Sequence, residues 1–219
     1  MATITLDPLD LAALLCSRVC HDVISPVGAI VNGLEVLEED NDASMQDFAL
    51  DLIRKSATQA SARLQFARLA FGAAGSAGAS IDLGDAESVA KGMFNDEKIS
   101  LSWSAPRVLM PKNRVKLLLN LVMLATNAIP RGGSIAVDVK AGETDADAPT
   151  FTLSAKGINA RIPAHAEALI RAEPESGTVD AHAIQPFYTG LIARAAGMSV
   201  GMTLDGDTVV IRAEAASIA

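Results

Sequence analysis

The chain has 219 residues, of which 50% are hydrophobic and 20% charged, the balance of a folded protein of one large domain or two small ones. Its net charge of −8 argues against nucleic acid as a main partner, because a phosphate backbone demands basic surface. Aromatic residues make up only 4%, so the core must be built from Leu, Ile, Val and Ala.

Asp7-Pro8 predicts a helix start, with Asp as N-cap and Pro in the first helical position. From there Leu9, Ala13, Cys16, Cys20, Val23, Val27, Ile30, Leu34 and Leu37 recur at alternating spacings of four and three, a seam of the coiled-coil kind. Cys16 and Cys20 have no metal-ligand companions and are expected to be reduced, buried and apolar. The acidic turn "EEDNDA" follows, and Ser44 with Asp47 three residues on suggests a capping box for a second helix. Ile53, Ala57, Ala60, Leu64, Ala67 and Phe71 give that helix its own seam. One hairpin cannot hide two such stripes, whereas two hairpins from two chains can, so residues 1–72 are expected to form a homodimeric four-helix bundle. The alternative is that the hairpin packs on the rest of its own chain.

"FGAAGSAGAS" (71–80) is small and poor in core residues, and a linker is expected over 73–80. Strands are expected at 99–103, 134–140 and 150–155, and helices at 113–129, near 163–172 and at 180–196. A terminal hairpin should turn at Asp205-Gly206. Residues 81–219 thus read as helices layered on a mixed or antiparallel sheet, making the chain α+β. The longest apolar stretch, Val115 to Ile129, is broken by Lys116, Asn120 and Asn127 and is shorter than the ~20 residues of a membrane span. With no signal-peptide pattern at its start, the chain is expected in the cytoplasm and off the membrane.

The chemistry concentrates at "CSRVCHDVISPVG" (16–28). A helix rarely accepts a proline, which costs about 3 kcal/mol, or a glycine, which costs about 1 kcal/mol relative to alanine. On a helical wheel Cys20, Val23 and Val27 fall roughly 100° to 160° from His21, so the imidazole points away from the bundle. Its own stripe holds Ser17, Arg18, Ser25, Gly28 and Asn32, small or polar neighbours that leave the ring approachable. Neutral imidazole is a good nucleophile toward phosphorus, and the adjacent Asp22 can hold its tautomer and orientation.

"VCHDVISPVGAI" resembles the phosphoacceptor box of sensor histidine kinases, which carry His, an acidic residue, and Pro five positions after the His. The resemblance implies a dimeric helical hairpin, a linker and an α+β domain that in true kinases binds ATP, with His21 phosphorylated and Asp22 as its adjacent acid. Asn127-Ala128 matches the family's Asn-Ala pair, but Met123 replaces the asparagine usual four residues earlier. After the strand "TFTLS", Ala155 stands in place of the adenine-binding aspartate and Asn159 in place of the second glycine. No Gly-rich lid lies between Pro163 and Gly197. The second domain is therefore expected to be kinase-shaped without binding ATP.

A phosphorylatable histidine on a dimeric bundle without a working ATP site resembles the histidine phosphotransferases. That resemblance implies a bacterial relay in which His21 moves a phosphoryl group between receiver-domain aspartates of a hybrid sensor kinase and of cell-cycle response regulators. The receiver would bring Mg²⁺, so the chain needs no metal or cofactor of its own. Arg18 could then pair with the receiver's rim. Antiparallel pairing about residue 41 puts Ser61 level with His21, making Lys55, Arg63 and Arg68 candidate contacts. Ser25 could position water for dephosphorylation, or simply save space. His165 and His182 have no evident acid or motif around them. The rival expectations are a divergent kinase that still uses ATP, supported by Asn127, and a silent dimeric adaptor.

Overall fold

The computed structural model of the protein describes residues 3–39, 42–72, 79–142 and 148–216. Asp7 accepts a hydrogen bond from the Leu9 amide at 2.9 Å, and the helix α1 runs Pro8–Glu39 from that cap. The helix α2 spans Ala43–Ala70 and starts earlier than the capping-box pattern suggests. Asp42 is its N-cap, accepting from both the amide and the hydroxyl of Ser44 at 2.8 and 2.6 Å, so Ser44 serves as donor. An ionised carboxylate is the stronger acceptor, which is why it displaces the serine from the cap.

The two helices approach closely where side chains are small. A Cβ on Gly33 would lie 2.7 Å from Ile53 Cγ1 and 3.3 Å from the Ala49 carbonyl oxygen, so glycine sets the interaxial distance there. Pro26, Ala49, Ser56 and Ala60 are buried in the same interface. The seam expected on α1 lies beside this face and is largely uncovered: Cys16 and Cys20 are exposed, Val27 is 42% exposed and Leu34 48%. The expectation of buried cysteines is thus corrected for the single chain, because both sit on the stripe that α2 does not cover. By length and composition alone α1 is apolar enough to cross a membrane. It nevertheless carries Arg18 and Asp22 paired at mid-helix and packs along α2.

The elements that follow are β1 (Ser80–Asp82), α3 (Leu83–Phe94), β2 (Ile99–Ser104), β3 (Leu109–Pro111), α4 (Lys112–Ala128), β4 (Gly133–Lys140), β5 (Thr150–Lys156), α5 (Ala166–Ile170), α6 (Ile184–Ala195), β6 (Met198–Asp205) and β7 (Thr208–Ala215). Residues 73–78 of the expected linker lie outside the described residues, and Ser80 begins β1, which pairs antiparallel with β3. Five strands form the main sheet in the order β2-β4-β5-β7-β6, with β2 and β4 parallel and the other pairs antiparallel. Buried and accessible residues alternate along β4, β5 and β7, so one sheet face is packed and the other is not. Helix α4 is buried all round from Val115 to Ala125, which explains its unbroken apolar run. The helix expected near 163–172 is only the single turn α5, entered through His165 at φ 60° and framed by Pro163 and Pro174.

Two joints fix the hairpin to this layered domain. Phe66, Leu69 and Ala70 of α2 enter the main core, where Phe66 meets Phe94 edge-on at 5.1 Å. The buried Asn120 donates to the Ala70 carbonyl at 3.2 Å, satisfying an orphan acceptor at the end of α2, and Gln185 of α6 donates to Asn120 in turn. At the other joint, Leu11, Leu14 and Leu15 of α1 pack on Leu169, Ile184 and Phe187. The hairpin therefore does pack partly on its own chain, at its base, and leaves the upper stripe free.

Candidate functional site

His21 sits midway along α1 with its side chain 76% exposed. Asp22 is more enclosed: its Oδ1 lies 3.6 Å from His21 Nδ1, and its Oδ2 accepts from Arg18 Nε at 3.0 Å. The first distance exceeds hydrogen-bond range, so the carboxylate acts on the ring through its charge in this conformation. Because Nδ1 is turned toward Asp22, Nε2 is the free edge of the imidazole. Arg18, expected at a partner's rim, is here the clamp that orients Asp22.

Pro26 explains a second contact. Proline has no amide hydrogen, so the carbonyl four residues earlier in a helix loses its donor. That carbonyl belongs to Asp22, and Arg63 from α2 donates to it. The proline five positions after the histidine is thereby tied to an arginine 41 residues away from the carbonyl it frees.

Ser17, Ser25, Gly28 and Asn32 are all exposed on the histidine's side, and a Cβ on Gly28 would meet nothing within 4 Å. The stripe around the imidazole is open and low in relief. Of the candidates on α2, Arg63 alone is brought against the site. The contacts of Gly33 with Ala49 and Ile53, and of Asp22 with Arg63, place Lys55 opposite the residues near Ile30. At 1.5 Å rise per residue that is about 13 Å along the helix from His21. Lys55 pairs with Asp51 at 2.7 Å, and that carboxylate raises its pKa. Arg68 lines an apolar groove of about 520 Å³ between α1 and α2, together with Cys16, Val19, Cys20 and Leu64.

The layered domain also reaches the histidine, which sequence reasoning missed. The His182 ring lies edge-on to that of His21, with centroids 6.5 Å apart. Asp180 accepts from the amides of His182 and Ala183 at 2.9 and 2.8 Å, and those bonds, with the nearby His182, hold its carboxyl below the usual range. An acid two residues before His182 was visible in the sequence; its proximity to His21 was not, since it depends on how α1 seats on α6. His165 likewise has an acid, with Nδ1 3.4 Å from Glu175.

His182 borders a cleft of about 680 Å³ lined also by Asn127, Pro163, His165, Glu175 and Asp180. This is where the Asn-Ala motif places a nucleotide in the kinase resemblance. Among the described residues that line it, the charged side chains other than histidine are two carboxylates, with no lysine or arginine. Ala155, in the position of the adenine acceptor, is fully buried within β5. Among the described residues no group of three or more His, Cys, Asp or Glu could hold a metal ion.

Comparison with known proteins identifies the family. Residues 83–208 match the family described as histidine phosphotransferase C-terminal domain. Protein phosphotransferase ChpT of Brucella abortus (strain 2308) is 51% identical over 211 residues, covering 96% of this chain and 98% of its own. The solved structure of a bacterial phosphotransferase superposes with a TM-score of 0.88 at 48% identity, covering 98% of this chain and all of that one. On these matches, which extend through the hairpin as well as the layered domain, the chain belongs to the histidine phosphotransferase family.

Proposed function

We propose that His21 is the phosphoacceptor of this phosphotransferase, carrying a phosphoryl group between receiver-domain aspartates. The observation that supports it most is the placement of one accessible imidazole beside a clamped carboxylate on an open stripe of small residues. The neutral ring keeps its proton on Nδ1, facing Asp22, and the Nε2 lone pair attacks phosphorus in line. The P–Nε2 bond forms as the P–O bond to the receiver aspartate breaks, and that aspartate leaves as a carboxylate. Asp22 offsets the positive charge that develops on the ring. Reversal of the same step onto a second receiver regenerates the neutral imidazole.

The receiver supplies Mg²⁺ in this reading, and the chain itself uses neither metal nor nucleotide. The acidic lining of the cleft and the buried Ala155 both support the latter point, since triphosphate needs cationic or amide donors. The chain is a homodimer in the cytoplasm, and the receivers are those of a hybrid kinase and of cell-cycle response regulators.

The test is transfer from a phosphorylated receiver. Wild-type protein should acquire acid-labile phosphate and His21→Gln should acquire none. Transfer that survives His21→Gln would overturn the assignment, and wild type that never takes label would favour the silent adaptor. Incubation with labelled ATP and Mg²⁺ should leave the protein unlabelled; stable label on His21 would restore the kinase reading that Asn127 supports.

A further inference from the structure

The pairing of His21 with His182 brings a second imidazole to the phosphoacceptor from a domain that supplies none of the chemistry described so far. His182 is exposed, sits just ahead of α6, and meets the His21 ring edge-on rather than stacking on it. We propose that His182 is a phosphoryl-binding residue, whose imidazolium N–H donates to a phosphoryl oxygen carried on His21. The proposal rests on the reading of His21 as phosphoacceptor.

Two observations carry it, and the local charges are consistent with it. The two rings are separated by 6.5 Å between centroids, a gap that a tetrahedral group attached to Nε2 can span after small torsions of two accessible side chains. The backbone position of His182 is fixed, because Asp180 accepts from its amide and from that of Ala183. The charges on the elements bearing the pair also favour a cation at this point. Asp180 lies ahead of α6 and Asp22 beside His21, the latter already engaged by Arg18. A phosphoryl dianion arriving on His21 would add negative charge beside Asp22, where Arg18 is engaged by the carboxylate and Arg63 by the backbone carbonyl, and a protonated His182 would supply a further donor from the layered domain. That proton comes from solvent, and no covalent bond to His182 forms or breaks. The layered domain thus contributes a side chain to the transfer centre, which a merely bracing role does not require.

The experiment phosphorylates the full-length protein with phosphoramidate, whose P–N bond breaks with loss of ammonia as P–Nε2 forms. Phosphorus NMR identifies label on His21, and the ¹⁵N-resolved imidazole signals of His182 are followed against pH with and without label. Label on His21 should move the His182 titration midpoint to higher pH. In transfer with a receiver, His182→Gln should shift the equilibrium about tenfold toward the receiver, the loss expected for one charge-assisted hydrogen bond. His182→Lys, which returns a cation, should recover most of that loss. Absence of label at His21 would overturn the phosphoacceptor reading and this one with it. Label on His21 with an unmoved His182 titration would overturn this inference alone, as would an unchanged equilibrium in His182→Gln.

Discussion

At the scale of single residues, the site depends on a compensation between two helices. Pro26 removes an amide donor, and Arg63 replaces it on the Asp22 carbonyl. The same Asp22 has its carboxylate held by Arg18, so both polar ends of the residue beside His21 are fixed by arginines. Arg63→Met leaves a partly buried carbonyl without a donor and should cost about 1–3 kcal/mol of stability in denaturant titration. In a Pro26→Ala background the α1 amide is restored to that carbonyl, and the same Arg63→Met change should cost markedly less. Additive effects of the two substitutions would show that Arg63 acts elsewhere. The proline was legible in the sequence as a weak point in a helix. Its partner was not, because no spacing rule connects Pro26 to a residue on another helix.

At the scale of elements, two glycines on α1 do opposite things. Gly33 faces α2, where an added Cβ falls 2.7 Å from Ile53, whereas Gly28 faces open space. Gly28→Ala should therefore stabilise the protein by about 1 kcal/mol, the helix-propensity difference. Gly33→Val adds bulk at the point of closest approach and should destabilise by about 1–3 kcal/mol, through overpacking. Thermal unfolding of the two variants checks the contrast, and equal shifts would mean that Gly33 does not set the helix separation. Much at this scale was legible. The periodicity of α1 and α2, the apolar α4, the strands at 134–140 and 150–155 and the terminal hairpin all carry their own local signals. The failures were at places where competing local interactions decide. Asp42 outcompetes Ser44 for the cap, and prolines at 163 and 174 restrict α5 to one turn. The placement of His182 beside His21 had no local signal at all, since it follows from Leu11, Leu14 and Leu15 seating on α6 and its neighbours.

At the scale of the whole molecule, the stripe left open by the hairpin is the face on which the proposed homodimer would form. Cys16, Cys20, Val27 and Leu34 lie on one side of α1, and the two cysteines share the apolar groove with Leu64 of α2, which is 50% exposed. By helical geometry this side is roughly 140° from His21, so covering it leaves both histidines of a dimer open to receivers. The contacts of the layered domain with α1 described above, from Leu11, Leu14 and Leu15 at the base and from His182 to His21, leave Cys16, Cys20, Val27 and Leu34 exposed. Sedimentation should accordingly give twice the 22.7 kDa chain mass for wild type. Leu34→Glu places a charge in the seam and should shift the equilibrium strongly to monomer, while folding survives because Leu34 is already half exposed in the single chain. The cysteines give an independent readout. Both are open in one hairpin and covered in a dimer, so a thiol reagent should modify wild type slowly and Leu34→Glu rapidly. A wild type that sediments as a monomer at micromolar concentration, with fast-reacting cysteines, would mean that the stripe is covered by something other than a second chain. Because Leu34 lies well away from the His21 stripe, a monomeric Leu34→Glu protein also asks whether one hairpin suffices for transfer. With His21, Asp22, Arg18, Arg63 and His182 all supplied by a single chain, the monomer should keep its rate of phosphoryl transfer from a receiver within a few-fold of wild type.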